Sequence, residues 1–147
     1  MKRIVSLSLL IALAGVLAGC ATTAGTTSGK TVPPEVRAIE RWNHLIAREA
    51  EKAYDYMSPG RRATKSRDEY AKEMNNRPVR WEKVALYKHT PCEATATTCK
   101  IVLQVDARAP LPGTAGEAAT LAFPQETWIR DKDGQWYYLG GVPKDQR

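Results

Sequence analysis

Hydrophobic positions along this chain follow three different rhythms. From Ile4 to Val16 they are nearly continuous, broken by two serines and no charge. From Val36 to Met57 they recur every three or four residues, at Val36, Ile39, Trp42, Ile46, Ala50, Ala53 and Met57. That spacing predicts one long amphipathic helix over Glu35–Met57. Pro33-Pro34 sets its start, Glu35 favours the positive end of its dipole, and Ser58-Pro59-Gly60 is read as its stop. A shorter helix follows over Arg67–Asn76. Ser66 is its N-cap, Glu69 completes a capping box, and Tyr70 and Met74 are its core anchors.

From Trp81 onward the period is two. Arg80–His89 reads as a strand carrying Trp81, Val84, Leu86 and Tyr87. Lys100–Arg108 alternates Ile101, Leu103 and Val105 against Val102, Gln104 and Asp106, the pattern of a half-buried strand. Ala109–Gly116 is a Pro- and Gly-rich loop. Thr120–Arg130 and Gln135–Leu139 form a closing hairpin turned by Asp131-Lys132-Asp133-Gly134, with Gly134 suited to a left-handed position. Pro124 makes its strand an edge or a bulged strand. The expected fold class is α+β: a long N-terminal helix and a second short helix packed on a curved four-stranded antiparallel sheet.

The first apolar run is thirteen residues long, preceded by Lys2 and Arg3. It suits a signal segment and is too short to span a bilayer core of about 30 Å. Leu17-Ala18-Gly19-Cys20 closes it and resembles the lipobox of bacterial lipoproteins. The resemblance implies cleavage before Cys20, lipidation of Cys20, and anchoring in the membrane through the lipid. Ala21, where an Asp would signal retention, implies the outer membrane, with the domain facing the periplasm. The chain then divides into a signal (1–19), a lipidated cysteine with a flexible tether (20–34) and one α+β domain (35–147). The tether is rich in Ala, Thr, Gly and Ser, which cannot bury a core. Ala24-x-x-x-x-Gly29-Lys30-Thr31 mimics a phosphate loop but lacks the flanking strand and helix that aim amide groups at phosphate, so no nucleotide site is read there.

Removing the signal leaves 128 residues and lowers the formal charge from +6 to +4. The segment Arg61–Lys88 holds nine Lys or Arg against four Asp or Glu. Arg61, Arg62, Lys65 and Arg67 open it, and they form a candidate patch for an anionic partner at the envelope. A nucleic-acid partner is excluded by compartment. Cys92 and Cys99 flank a six-residue loop in a compartment that permits disulfides and are read as a bridge contributing ~2–3 kcal/mol. A rival metal reading, with His89 as third ligand, falls short of the four ligands of structural zinc. His44 is read as a surface histidine with Glu40 on its helix face. No cofactor motif appears.

The segment Ala53-Tyr54-Asp55-Tyr56-Met57-Ser58-Pro59, then Arg61-Arg62, a Tyr70 helix, and strands ending Glu126-x-Trp128 and Asp133-Gly134-x-Trp136-Tyr137 together resemble the nuclear-transport-factor-2-like superfamily. The resemblance covers Val36 to Gly141. It implies a cone of curved sheet around the long helix with a pocket at the open end, the early strand pair being reduced to Arg61–Ser66. Trp42, Tyr54, Tyr56, Asp106 and Trp128 are the candidate pocket residues. Three functions follow as expectations, the third of them a structural member of an envelope complex docked through the Arg61–Lys88 segment. The first is a non-catalytic lipoprotein domain that binds an envelope protein or a small apolar ligand. The alternative is an isomerase- or hydratase-like enzyme with Asp55 or Asp106 as acid and Tyr54 or Tyr56 as donor, an idea that rests on fold analogy.

Overall fold

A computed structural model describes residues 31–88 and 91–141. The signal, Cys20, the tether up to Lys30, and His89 lie outside the described residues. The single helix expected over Glu35–Met57 is broken in two. Helix α1 spans Pro34–Ile46, α2 spans Ala50–Ala53, and a 3-10 turn covers Tyr54–Tyr56. The break falls at Arg48, which takes the left-handed conformation with φ 60°. For a residue with a Cβ this costs roughly 1–2 kcal/mol. The Arg48 guanidinium donates to the Asn75 carbonyl at 3.0 Å, tying the break to the end of a later helix. The buried face of α1 is turned from the expected stripe: Ala38, Trp42, Leu45, Ala50 and Ala53 lie in one core, while Val36 is 43% exposed and Ile39 and Ile46 are only partly buried.

A second correction concerns Arg61–Ser66, expected as a reduced strand pair. Residues Pro59–Thr64 form helix α3 instead. Pro59 sits in its first turn, where the missing N–H costs nothing and the fixed φ is already helical. Helix α4 spans Arg67–Asn75 and starts as expected. Ser66 Oγ accepts from the Glu69 amide at 3.2 Å, and Glu69 accepts in return from the Ser66 amide at 3.0 Å.

Among the described residues five strands form the sheet, one more than expected. They are β1 (Arg80–Lys88), β2 (Thr98–Pro110), β3 (Glu117–Ala122), β4 (Gln125–Arg130) and β5 (Trp136–Gly141). The strand expected over Thr120–Arg130 divides at Phe123-Pro124. Pro124 has no N–H to give, but its carbonyl still accepts from Leu103 at 3.0 Å. The two halves therefore pair with different stretches of β2: β3 with Val105–Pro110 and β4 with Thr98–Val102. The sheet is antiparallel, runs β1-β2-β4-β5 with β3 beside the far end of β2, and is not closed into a barrel. Asp131–Gly134 turns the last hairpin, with Gly134 at φ 80°. The outer edge of β5 is covered where Met57 bridges Tyr138 and the Ser58 amide donates to the Tyr138 carbonyl at 2.9 Å.

The core lies between the helices and one face of this sheet. Ile101, Leu103, Val105 and Ala107 point into it from β2, Trp128 from β4 and Trp136 from β5. Trp42 and Trp81 meet edge to face at 5.5 Å between ring centroids, joining α1 to β1.

The cap of α4 gives a direct test. Ser66→Ala should lower unfolding free energy by about 1 kcal/mol in a urea titration. Ser66→Thr should recover most of it, and an unchanged midpoint for the alanine variant would show that the box contributes nothing.

Candidate functional site

At the centre of the core lies a cluster of charged and aromatic groups. The seven-residue rhythm of α1 that buries Ala38 and Leu45 also buries both Arg41 and Trp42. On β4, Glu126 lies two residues before Trp128, so both point to the core face. Arg41 is 4% exposed and Glu126 2%. Glu126 Oε1 accepts from Arg41 Nη1 and from Trp42 Nε1, each at 2.7 Å, and its Oε2 accepts from Trp128 Nε1 at 3.0 Å. Arg41 Nη2 donates to the Tyr70 hydroxyl at 3.2 Å, and the guanidinium lies 3.9 Å from the centre of the Tyr138 ring. Four elements, α1, α4, β4 and β5, converge on one ion pair.

Burial works against the charge on Arg41, yet Glu126 beside it, with Tyr70 and Tyr138, holds its pKa above the ordinary arginine value. Burial also pushes the Tyr138 hydroxyl up. All three donors reach Glu126 from within the core, so both of its oxygens are turned to the protein itself. The cluster fixes where α1 sits on the sheet.

A groove of about 220 Å³ runs along the outside of α1, lined by Glu35, Val36, Ile39, Glu40 and Leu86. It is smaller than the usual range for small-molecule pockets, about 300–1,000 Å³. Beside α1, the Tyr56 hydroxyl donates to Glu40 at 3.2 Å and its ring lies 5.9 Å from that of His44. His44 does not pair with Glu40. Its Nδ1 lies 2.9 Å from Glu49, just past the helix break.

The candidate pocket residues are dispersed. Trp42 and Trp128 meet at Glu126, inside the core. Tyr54 is buried beside Tyr70, 5.8 Å between ring centres, and donates to the Lys65 carbonyl at 2.7 Å. Tyr56 is half-buried at the surface beside Arg37, 4.9 Å from that guanidinium. Asp106 is half-buried, aligned with Lys83 and Leu121 across β2, on the face turned away from Leu103 and Val105. Asp55 binds the Arg67 guanidinium through both oxygens.

The basic patch is likewise divided. Lys65 pairs with Glu73, which also takes Arg77 at 2.9 Å, and Arg67 pairs with Asp55. These partners hold Asp55 below the usual carboxylate range through Arg67, and Glu73 through Lys65 and Arg77. Arg61 donates instead to the Leu139 carbonyl at 3.1 Å, and Arg62 stands 5.7 Å from the Tyr137 ring centre. Cys92 and Cys99 lie at disulfide distance, 5.9 Å between Cα atoms, with Cys99 opposite Trp128 in the β2–β4 register. Among the described residues no group of three or more His, Cys, Asp or Glu is placed to hold a metal ion.

Sequence reasoning passed over Arg41, Glu126 and Arg37 because charged residues are assigned to solvated faces by default. The signal was present for two of them: Arg41 shares the stripe of Ala38 and Leu45, and Glu126 shares the strand parity of Trp128.

Two measurements probe this site. Arg41→Met or Glu126→Leu alone strands buried polar groups and should cost roughly 3–5 kcal/mol in denaturant unfolding. The double variant should cost less than the sum, and strict additivity would show that the two groups do not interact. Separately, Asp55 and Glu73 titrate lower in the fold than their ordinary values of 3.8 and 4.5. Their stabilisation is therefore complete above those values and is lost as pH falls through the lowered folded ones. Melting temperature should drop progressively below about pH 4, and Arg67→Gln should flatten that drop.

No family model matches the chain, and no match is found among curated proteins. A solution structure of a SEC-C motif containing protein from Rhodopseudomonas palustris is similar in fold, with a TM-score of 0.56 at 14% identity. The likeness covers 75% of this chain and 77% of that one.

Proposed function

We propose that this chain is a membrane-anchored bacterial envelope lipoprotein whose α+β domain serves as a non-catalytic binding or interaction module in the periplasm, tethered to the outer membrane. One observation carries the reading. Cys20 stands directly after Ala18-Gly19 at the end of a thirteen-residue apolar run, where lipidation chemistry requires a cysteine. The nuclear-transport-factor-2-like resemblance of the domain, with Glu126-x-Trp128 in its closing hairpin, belongs to the same proposal.

The disposition of the acids favours binding over catalysis. Glu126 is engaged by Arg41 and two indoles, Asp55 by Arg67, and Asp106 lies apart from Tyr54 and Tyr56 on the outer face of the sheet. An isomerase-like mechanism needs an acid and a donor directed at one substrate atom.

Metabolic labelling with radioactive palmitate checks the anchor. The wild-type chain should carry label and partition with membranes. Cys20→Ala should lose the label entirely, and label persisting in that variant would remove the lipoprotein reading.

A further inference from the structure

Two arginines flank one tyrosine, and a third reaches the same strand. Arg37 comes from the first turns of α1, Arg61 and Arg62 from α3, and Tyr137 from β5. The guanidinium of Arg37 stands 5.4 Å from the Tyr137 ring centre and that of Arg62 stands 5.7 Å from it. Arg61 reaches the same strand two residues on, at the Leu139 carbonyl. Gly140, at φ 138°, allows this approach, because a Cβ there would stand 2.7 Å from Arg61 Nη1.

The electrostatics separate these three from the other basic side chains around them. Lys65, Arg67, Arg77, Arg80 and Arg108 each pair with a carboxylate. Among the described residues Arg37, Arg61 and Arg62 form no such pair, and Arg37 Nε is buried without a hydrogen-bond partner. Bonds from the Gln135 amide and the Tyr137 hydroxyl, and then the Arg37 charge, hold the Asp133 carboxyl below the usual carboxylate range, so Asp133 offsets part of this cationic charge. Asp133 accepts from the Tyr137 hydroxyl at 2.7 Å and from the Gln135 amide at 2.8 Å, and Glu40 accepts from Tyr56. The result is a concentration of planar, weakly hydrated cations steadied by aromatic rings, a chemistry that matches phosphate oxygens.

The position of the cluster selects the occupant. Thr31 Oγ1 lies 3.5 Å from where a Cβ on Gly134 would stand. Gly134 belongs to the turn whose Asp133 holds Tyr137. The chain therefore enters the domain beside the arginines. Only ten residues, 21–30, separate Cys20 from Thr31, where the described domain starts. Fully extended they reach no more than about 40 Å.

We propose that Arg37 and Arg62 beside Tyr137, with Arg61 at Leu139 of the same strand, form a membrane-facing site for the phosphates of anionic phospholipid headgroups in the leaflet where Cys20 is anchored. The assignment of the occupant rests on the lipoprotein reading above. The site gives the tethered domain a preferred face toward the bilayer.

The test uses the full chain carrying Cys20→Ala, so that acylation contributes nothing. Its affinity is measured by vesicle sedimentation at low salt, for phosphatidylglycerol–phosphatidylcholine vesicles and for phosphatidylcholine alone. The ratio of the two affinities cancels what the apolar run 4–16 contributes. Each basic side chain near an anionic surface is worth about fivefold, so the triple variant Arg37→Gln/Arg61→Gln/Arg62→Gln should lower that ratio on the order of a hundredfold. Its melting curve verifies that it folds. A charge-matched control, Lys72→Gln/Lys83→Gln/Lys100→Gln, should keep most of the ratio. An unchanged ratio in the arginine variant, or an equal loss in the lysine control, overturns the site. Inorganic phosphate binding more tightly than the vesicles would reassign the occupant and overturn the membrane assignment. Because palmitate labelling is read separately, loss of the anchor and loss of the arginine site are distinguishable results.

Discussion

The fold turns on a pair of opposite charges removed from water. Arg41 and Glu126 are each nearly inaccessible, and in isolation either would carry a desolvation penalty of several kcal/mol. The pair is tolerable because every surrounding element brings something to it. Helix α1 adds the Trp42 indole, β4 adds that of Trp128, α4 adds the Tyr70 hydroxyl and β5 adds the Tyr138 ring. An apolar contact in the same place would permit sliding by a fraction of a turn. Directed hydrogen bonds at 2.7–3.0 Å do not, so the angle between α1 and the sheet is specified by chemistry as well as by volume.

Most of the architecture was legible because it follows from local rules. The Ser66–Glu69 capping box, the Ile101–Leu103–Val105 parity and the left-handed Gly134 each state their conformation within a few residues of sequence. The failures were equally specific. Nothing in Arg48 announces a left-handed residue, since neither glycine nor proline is there, and Ala50 and Ala53 keep an apolar spacing beyond the break. Pro59 and Gly60 read as a stop, yet Pro59 is as well suited to begin a helix as to end one. Pro124 warned of an interruption, but that its two flanks would lie on different parts of β2 depends on the long-range pairing of Leu103 with the Pro124 carbonyl. For the site, the hydrophobic pattern located Trp42 and Trp128 without their charged neighbours. Polar residues on a buried face can be found only by asking which residue shares their parity.

Surface charge tells a complementary story. Sequence counting treats the run from Arg61 to Lys88 as one basic field. In three dimensions the run is dissected: Lys65, Arg67, Arg77 and Arg80 are answered by acids on neighbouring turns and strands. Cationic character is concentrated instead where α1, α3 and β5 approach each other, and one of its members, Arg37, lies outside the run altogether. Exposed ion pairs of this kind contribute little stability. Their larger effect is to decide which cations are left to meet a partner.

The two ends of the buried ion pair are separated by 85 residues of chain. A chain delivered N-terminus first would present α1 early, with a cation and an indole that have no acceptor, and Glu126 only near the end. Helix α1 and strands β1 and β2 would therefore wait in an open, solvated arrangement until β4 arrived. Contacts of such long range form late, because loop closure must come before any benefit from pairing. Completion of the interior is thus timed by the arrival of the last hairpin.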